Sequence, residues 1–349
     1  MVLREKWPVL GRHEQAAVWL QIWADLGWAP RTIDAYARGL TEYLLLCERA
    51  GVDPVTANRA HVAVFVRELT SRPSLRGANV VAIDSGSGLA NATIQQRLVP
   101  VRLFYDFLME EGLRESNPVG RGRCTPGGRA GQQRGLVPRL TKLPWIPSEQ
   151  EWLRLLEEAR REPARNRLML ALAYDAALRR EELCSLRTDD VDPAHRTLRV
   201  RAETTKNRLE RVVPYSASTG VLLSQYLAHR ASVSRARGPL FLSESRRNHA
   251  QPLSLWTWSK VIRRIALASG VERFSTHTTR HLCLTDLARM GWEVHAIAAF
   301  AGHRHTDSTL RYIHLSGREL AGKLSQGMQH IHARRVQALT GVEDTGVTR

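Results

Sequence analysis

Residues 276–314 read THTTRHLCLTDLARMGWEVHAIAAFAGHRHTDSTLRYIH, and this stretch decides how the chain is understood. His277, Arg280 and His281 open a helical pattern, and His303 stands nine residues before Tyr312. Two histidines four apart on a helix bring metal ligands to mind. The HExxH signature, however, needs Glu after the first His, and Thr278 stands there, so a structural or phosphate-binding role ranks above a metal site. Tyr312 alone is an ordinary half-buried aromatic. Upstream, YDAALRREELCSLRTDDVD (174–192) places Arg179 after an apolar segment, ARNRLMLALAYDAA (164–177), with Glu182 before Leu183 and Leu186. An ion pair between Arg179 and Glu182 is the plain reading. Between these regions RTLRVRAE (196–203) alternates and RVVP (211–214) resumes, which predicts a hairpin with Lys206 at or near its turn. Taken singly, none of these residues demands chemistry.

The rest of the chain sets their context. The 349 residues carry 51 Lys and Arg against 34 Asp and Glu, a formal charge of +17, which points to a polyanionic partner. No apolar run approaches the ~18–20 residues of a membrane helix, and the N-terminus lacks a secretory core. Cys47, Cys124, Cys184 and Cys283 show no paired spacing, so neither disulfides nor a zinc site are indicated. The expectation is a cytoplasmic, nucleoid-associated protein with no membrane contact, no metal and no cofactor.

Four helices are predicted in the first third. The segment 13–27 carries Trp19, Ile22, Trp23 and Leu26 at helical spacing. In 31–51, Thr32 is the cap, Ile33, Tyr36, Leu40 and Leu44 share a face, and Gly51 ends it. In 56–69, Val62, Phe65, Val66 and Leu69 repeat the pattern, and 91–112 aligns Ile94, Leu98, Val101, Tyr105 and Leu108. Pro100 should kink or split this last helix, and 71–90 reads as an exposed loop. Asn117-Pro118 closes the bundle. Residues 119–142 hold six basic residues, six glycines and no acid. They form either a solvated tether or a strap along a phosphate backbone through Arg121, Arg123, Arg129, Arg134, Arg139 and Lys142. Helices are predicted again at 148–161, 164–177 and from 255 onward. The chain thus divides into 1–118, a linker 119–144 and 145–349.

In order, ALRREEL, TTKNRLERVVP, HTTRH and GHRHTDSTLRY resemble the tyrosine recombinase, or phage integrase, family, with a flavour of recombinases from integrating transposons. The resemblance implies a mainly α fold with a small β-sheet or hairpin: an N-terminal helical core-binding (SAM-like) bundle plus an α+β catalytic domain. It implies Tyr312 as nucleophile and Arg179, Arg280, His277, His303 and Lys206 as catalytic partners, with Glu182 orienting Arg179 and His281 in support. Tyr312 would attack a DNA phosphodiester and expel a 5′-hydroxyl. His277 would take the phenolic proton, the two guanidiniums and His303 would hold the phosphate, and Lys206 would protonate the leaving oxygen. A covalent 3′-phosphotyrosine then allows resealing without ATP. Implied partners are double-stranded DNA with specific recombination sites, a homotetramer on that DNA from a free monomer or weak oligomer, and accessory proteins. The tail 316–337 has helical character and docks either on a neighbouring protomer or on its own domain. Four departures stand out: Ala177 replaces the usual Gly, Ala301 the usual Leu, Arg208-Leu209 alter the hairpin around Lys206, and Pro100 is unusual in the bundle's last helix. Competing readings are a type IB topoisomerase, an idle DNA-binding accessory protein and a zinc enzyme; the complete residue set disfavours the second and incoherent ligand spacing the third.

Overall fold

A computed structural model describes residues 3–72, 88–120, 136–137, 144–205, 207–310 and 312. The chain forms two compact units, residues 1–142 and 143–349. Lys206, the linker residues Arg121, Arg123, Arg129, Arg134, Arg139 and Lys142, most of the loop 71–90 and the tail 316–337 lie outside the described residues.

The N-terminal unit is helical: α1 (Leu3–Lys6), α2 (Glu14–Asp25), α3 (Pro30–Arg49), α4 (Arg59–Ser71) and α5 (Asn91–Glu110). Its core gathers Leu20, Leu40, Phe65, Val101 and Phe104 around Trp19. Helix α2 faces the core differently from its predicted stripe: Trp19 and Leu20 are buried, while Leu26 is 71% exposed and Ile22 faces solvent. The α2 pattern is wide enough to admit two faces, and α3 selects one. Helix α3 begins at Pro30, ahead of Thr32, because proline at the first position supplies the helical φ and lacks only an N–H that the helix would not use. Gly51, at φ +64°, follows its end as expected.

Pro100 does not split α5, which runs unbroken from Asn91 to Glu110. The ring lies against Gly39 of α3; a Cβ built on Gly39 would sit 2.6 Å from Pro100 Cγ. Glycine therefore makes the room that the proline ring fills. Nearby, the buried Tyr43 and Tyr105 hydroxyls are 2.7 Å apart, and Tyr105 donates onward to the Pro54 carbonyl. Each buried oxygen thus has a partner.

The C-terminal unit packs helices around a small sheet. The helices are α6 (Glu149–Arg160), α7 (Ala164–Asp175), α8 (Arg180–Cys184), α9 (Ala217–Val233), α10 (Leu255–Ala268), α11 (Thr278–Arg289), α12 (Val294–Ala301) and α13 (Asp307–Leu310). Ser148 caps α6, with Glu151 returning to the Ser148 backbone N–H. Helix α7 buries Leu168, Met169, Leu172 and Ala173, as its apolar composition requires. The expected hairpin is β2 (Thr197–Val200) with β3 (Arg211–Pro214), antiparallel with Val200 opposite Arg211. A short strand β1 (Val191–Asp192) extends it to three strands in the order β1-β2-β3. Leu198, Val200 and Val213 turn inward to the core shared with α7, α9 and α10. The fold is thus mainly α with a small sheet.

Candidate active site

The first arm of the site is the turn after α7. Ala177, fully buried, adopts φ +45°, a left-handed conformation that suits glycine better. Its Cβ is nevertheless accommodated, packed beside Leu284, Ile297 and Ala301. This turn brings Arg179 to the start of α8, where Glu182 folds back. The Glu182 carboxylate accepts from the Arg179 backbone N–H at 2.9 Å and from Arg179 Nη1 at 2.7 Å. The predicted pairing of these residues is present.

Helix α11 supplies the second arm. His277 sits at its start as an exposed residue that its surroundings still partly desolvate. Burial, then the charges of Arg180, Arg280 and Arg179, lower its pKa below the usual 6.5. Arg280 is 4% exposed and donates to the carbonyls of Ala177 and Ala301, while Nη2 lies 3.0 Å from His303 Nε2. Because a guanidinium can only donate, His303 Nε2 accepts here. His303 Nδ1, 2.8 Å from Thr309 Oγ1, therefore carries the ring proton. Burial pulls Arg280 down to about 10 and, with Arg280 and Arg179 nearby, His303 down to about 4. At neutral pH His303 is uncharged.

Gly302 turns the chain from α12 into His303 at φ +62°. The His303 N–H reaches the Ala298 carbonyl at 2.9 Å and that of Gly302 the Ala299 carbonyl at 3.0 Å, the double bond of a left-handed helix end. Ala301 is fully buried, so the smaller side chain is packed. Tyr312 follows α13, 8% exposed, its ring parallel to His303 with centroids 6.1 Å apart. Its hydroxyl lies 3.0 Å from His281 Nδ1. Arg179, Arg280, His303, His281, Glu182 and Tyr312 are thus brought together. His277 stands near the three arginines rather than on the Tyr312 hydroxyl. The position of Lys206 lies outside the described residues, though its neighbour Asn207 donates to the Gly302 carbonyl at 3.2 Å.

Two contributors escaped the sequence reading. Arg211, read there only as the first residue of the strand RVVP, places Nη1 and Nη2 on the two Glu182 oxygens at 3.2 and 2.8 Å. Thr309 fixes the His303 tautomer. Burial opposes ionisation of Glu182, but the Arg211 and Arg179 contacts outweigh it and hold the carboxyl at about 2. Among the described residues there is no group of three or more His, Cys, Asp or Glu able to hold a metal.

The profile described as the phage integrase family matches residues 147–319, a span that contains the whole constellation. The C-terminal unit belongs to the phage integrase family. The chain is accordingly an enzyme of the tyrosine recombinase class. It is 27% identical over 324 residues to transposase A from transposon Tn554 of Staphylococcus aureus, covering 87% of this chain and 88% of that protein. Tyrosine recombinase XerC of Erythrobacter litoralis is 28% identical over 315 residues, covering 87% and 88%. The fold matches the XerH site-specific recombinase bound to palindromic difH substrate, with TM-score 0.64, 19% identity and coverage of 84% of this chain and 79% of that one. It also matches the Tn1549 transposon integrase in complex with transposon right end DNA, with TM-score 0.63, 14% identity and coverage of 89% and 98%. Among the described residues no helix is long and apolar enough to cross a membrane.

Proposed function

We propose that this protein cuts and rejoins double-stranded DNA at specific sites through a 3′-phosphotyrosine on Tyr312. The observation that carries the reading is the placement of the Tyr312 ring against His303, whose Nε2 is held by Arg280. The +17 charge supports a DNA partner, as do the DNA-bound structures of similar fold.

A scissile phosphate gripped by Arg179 and Arg280 would receive paired donors as charge builds on its non-bridging oxygens. It would replace His303 as the acceptor of Arg280 Nη2. The phosphate charge would also favour the protonated imidazole, so that His303 donates to the phosphate through Nε2. Tyr312 Oη attacks phosphorus and the bond to the 5′ oxygen breaks, leaving a 3′-phosphotyrosine. His281 holds the phenol in the present arrangement. His277, beside the arginines that would hold the phosphate, takes the phenolic proton at attack, and Lys206 supplies a proton to the departing oxygen. A 5′-hydroxyl from a second strand reverses the step. Two sites, four protomers and a Holliday junction complete the exchange. The basic residues of the linker track the backbone, and the division at 118 and 145 separates the DNA-gripping bundle from the catalytic domain.

The test is a nicked suicide duplex bearing the target site, incubated in EDTA and resolved on a denaturing gel. The wild-type protein should yield a covalent adduct that Tyr312→Phe abolishes while specific binding persists. An adduct surviving that substitution, or a strict metal requirement, refutes the mechanism. Relaxation of supercoils without strand exchange between two duplexes would instead identify a topoisomerase.

A further inference from the structure

Arg211 enters the site from the sheet, yet it touches two other parts of the unit at once. Its side chain is 8% exposed and the Glu182 side chain 0%. Nε donates to the Phe300 carbonyl at 3.0 Å, in the last turn before the Gly302–His303 bend. Nη1 and Nη2 take one Glu182 oxygen each. We infer that Arg211 is a positioning residue for strand cleavage, a single guanidinium that fixes the Arg179–Glu182 pair and the His303 bend relative to each other; the catalytic part of this inference rests on the recombinase reading above.

The distribution of donors on Glu182 carries the argument. Oε2 accepts from Arg211 Nη2 and from the Arg179 backbone, while Oε1 accepts from Arg211 Nη1 and Arg179 Nη1. With Arg211 in place, Arg179 has only Nη1 on the carboxylate. Its Nη2 meets the Gly302 carbonyl at 3.5 Å, the long limit of a hydrogen bond, and so remains available to an incoming phosphate. Without Arg211, a buried carboxylate would need new donors, and the nearest is the second arm of Arg179. The pair would close into a fork and take the phosphate-binding edge with it.

Gly302 carries the complementary argument. Its φ of +62° already favours glycine, and a Cβ there would lie 2.9 Å from Arg211 Nη1 and 3.2 Å from Cδ. The bend that presents His303 therefore leaves the space that the guanidinium occupies. On the strand side, the backbone of Arg211 pairs with Val200, so the anchor is a sheet position rather than a loop. Lysine has one ammonium and cannot serve the Phe300 carbonyl and both carboxylate oxygens in a plane.

The experiment uses full-length wild-type and Arg211→Lys proteins with two readouts. Single-turnover cleavage of the nicked duplex should fall on the order of 10²-fold, the cost of misplacing catalytic groups by about an ångström, with DNA affinity within about threefold of wild type and the far-UV spectrum retained. In parallel, NMR of histidine-labelled protein, with His303 assigned through His303→Gln, should show its ring resonances and titration midpoint moved in Arg211→Lys. Methylguanidinium added to Arg211→Ala should restore part of the cleavage rate. Wild-type cleavage rates in the lysine variant, an unmoved His303 titration, a parallel loss of DNA affinity, or loss of the fold at 25 °C would each overturn the inference. If wild-type protein forms no Tyr312 adduct, the recombinase reading fails, and the His303 titration still decides whether Arg211 sets that bend.

Discussion

Replacing Glu182 by Gln keeps the shape and removes the buried charge that the Arg179 and Arg211 guanidiniums share. The carboxyl is held at about 2 against an ordinary 4.5. By linkage, a difference of that size corresponds to about 3 kcal/mol of stability at pH 7. Direct precedent for removing one partner of a buried ion pair, about 3–5 kcal/mol, agrees. The sign follows from the lowered folded-state pKa. The contribution is complete above the unfolded value of 4.5 and is lost as pH falls toward 2. It should therefore decline to about 2 kcal/mol at pH 3.5. Urea unfolding of wild-type and Glu182→Gln proteins, followed at pH 7 and pH 3.5, measures both values, because the other carboxylates titrate alike in the two proteins. We expect a destabilisation of about 3 kcal/mol that shrinks by about a third on acidification. A difference below about 1 kcal/mol at pH 7, the range of an exposed pair, would refute the reasoning. So would a difference that does not change with pH.

The two histidines of α11 separate by role: His277→Ala should slow single-turnover cleavage on the order of 10²–10³-fold, within the range of lost general bases, and His281→Ala less than about tenfold. The reverse order on the suicide substrate would move the base to His281. Because burial and the neighbouring arginines hold the His277 pKa below 6.5, the neutral ring is still the majority form at that pH, so wild-type cleavage should keep more than half of its pH 8 rate at pH 6.5. A rate already below half of its pH 8 value at pH 6.5 would contradict the assignment. Ala177→Gly should alter thermal stability by less than about 1 kcal/mol, since relief of a left-handed alanine, about 1 kcal/mol, offsets a lost buried methyl and added chain entropy. Calorimetry showing a larger change in either direction would mean that the turn is not strained in this way.

Helices with a cap and a single apolar stripe were legible in sequence, as Ser148 with Glu151 ahead of α6 illustrates. The hairpin was legible from alternation and from RVVP. Helix α9 was missed for a physical reason. Arg230 occupies one of its core positions, 6% exposed, and donates to the carbonyls of Leu240, Ser234, Ala236 and Pro239. A charged residue there breaks the apolar periodicity, while the carbonyls that satisfy it belong to the following loop. Arg179, Arg280, His303 and Tyr312, which the structure gathers, stood out in sequence only as an ordered set. What spacing does not reveal is which partner each residue takes. Arg211 meets Glu182 29 positions away and Phe300 89 away, a choice made by the packing of the sheet against α8 and α12. The bond between His281 and Tyr312 likewise depends on how α13 returns to α11.

The fit of Gly39 against Pro100 also constrains how the N-terminal bundle can drift over generations. Replacing Pro100 first leaves Gly39 with spare volume, and a later alanine at 39 can occupy it. Taken in the opposite order, the alanine meets a ring carbon at 2.6 Å and the intermediate is disfavoured before the second change arrives. The two positions, on different helices and 61 residues apart, are therefore open to exchange along one path and closed along the other.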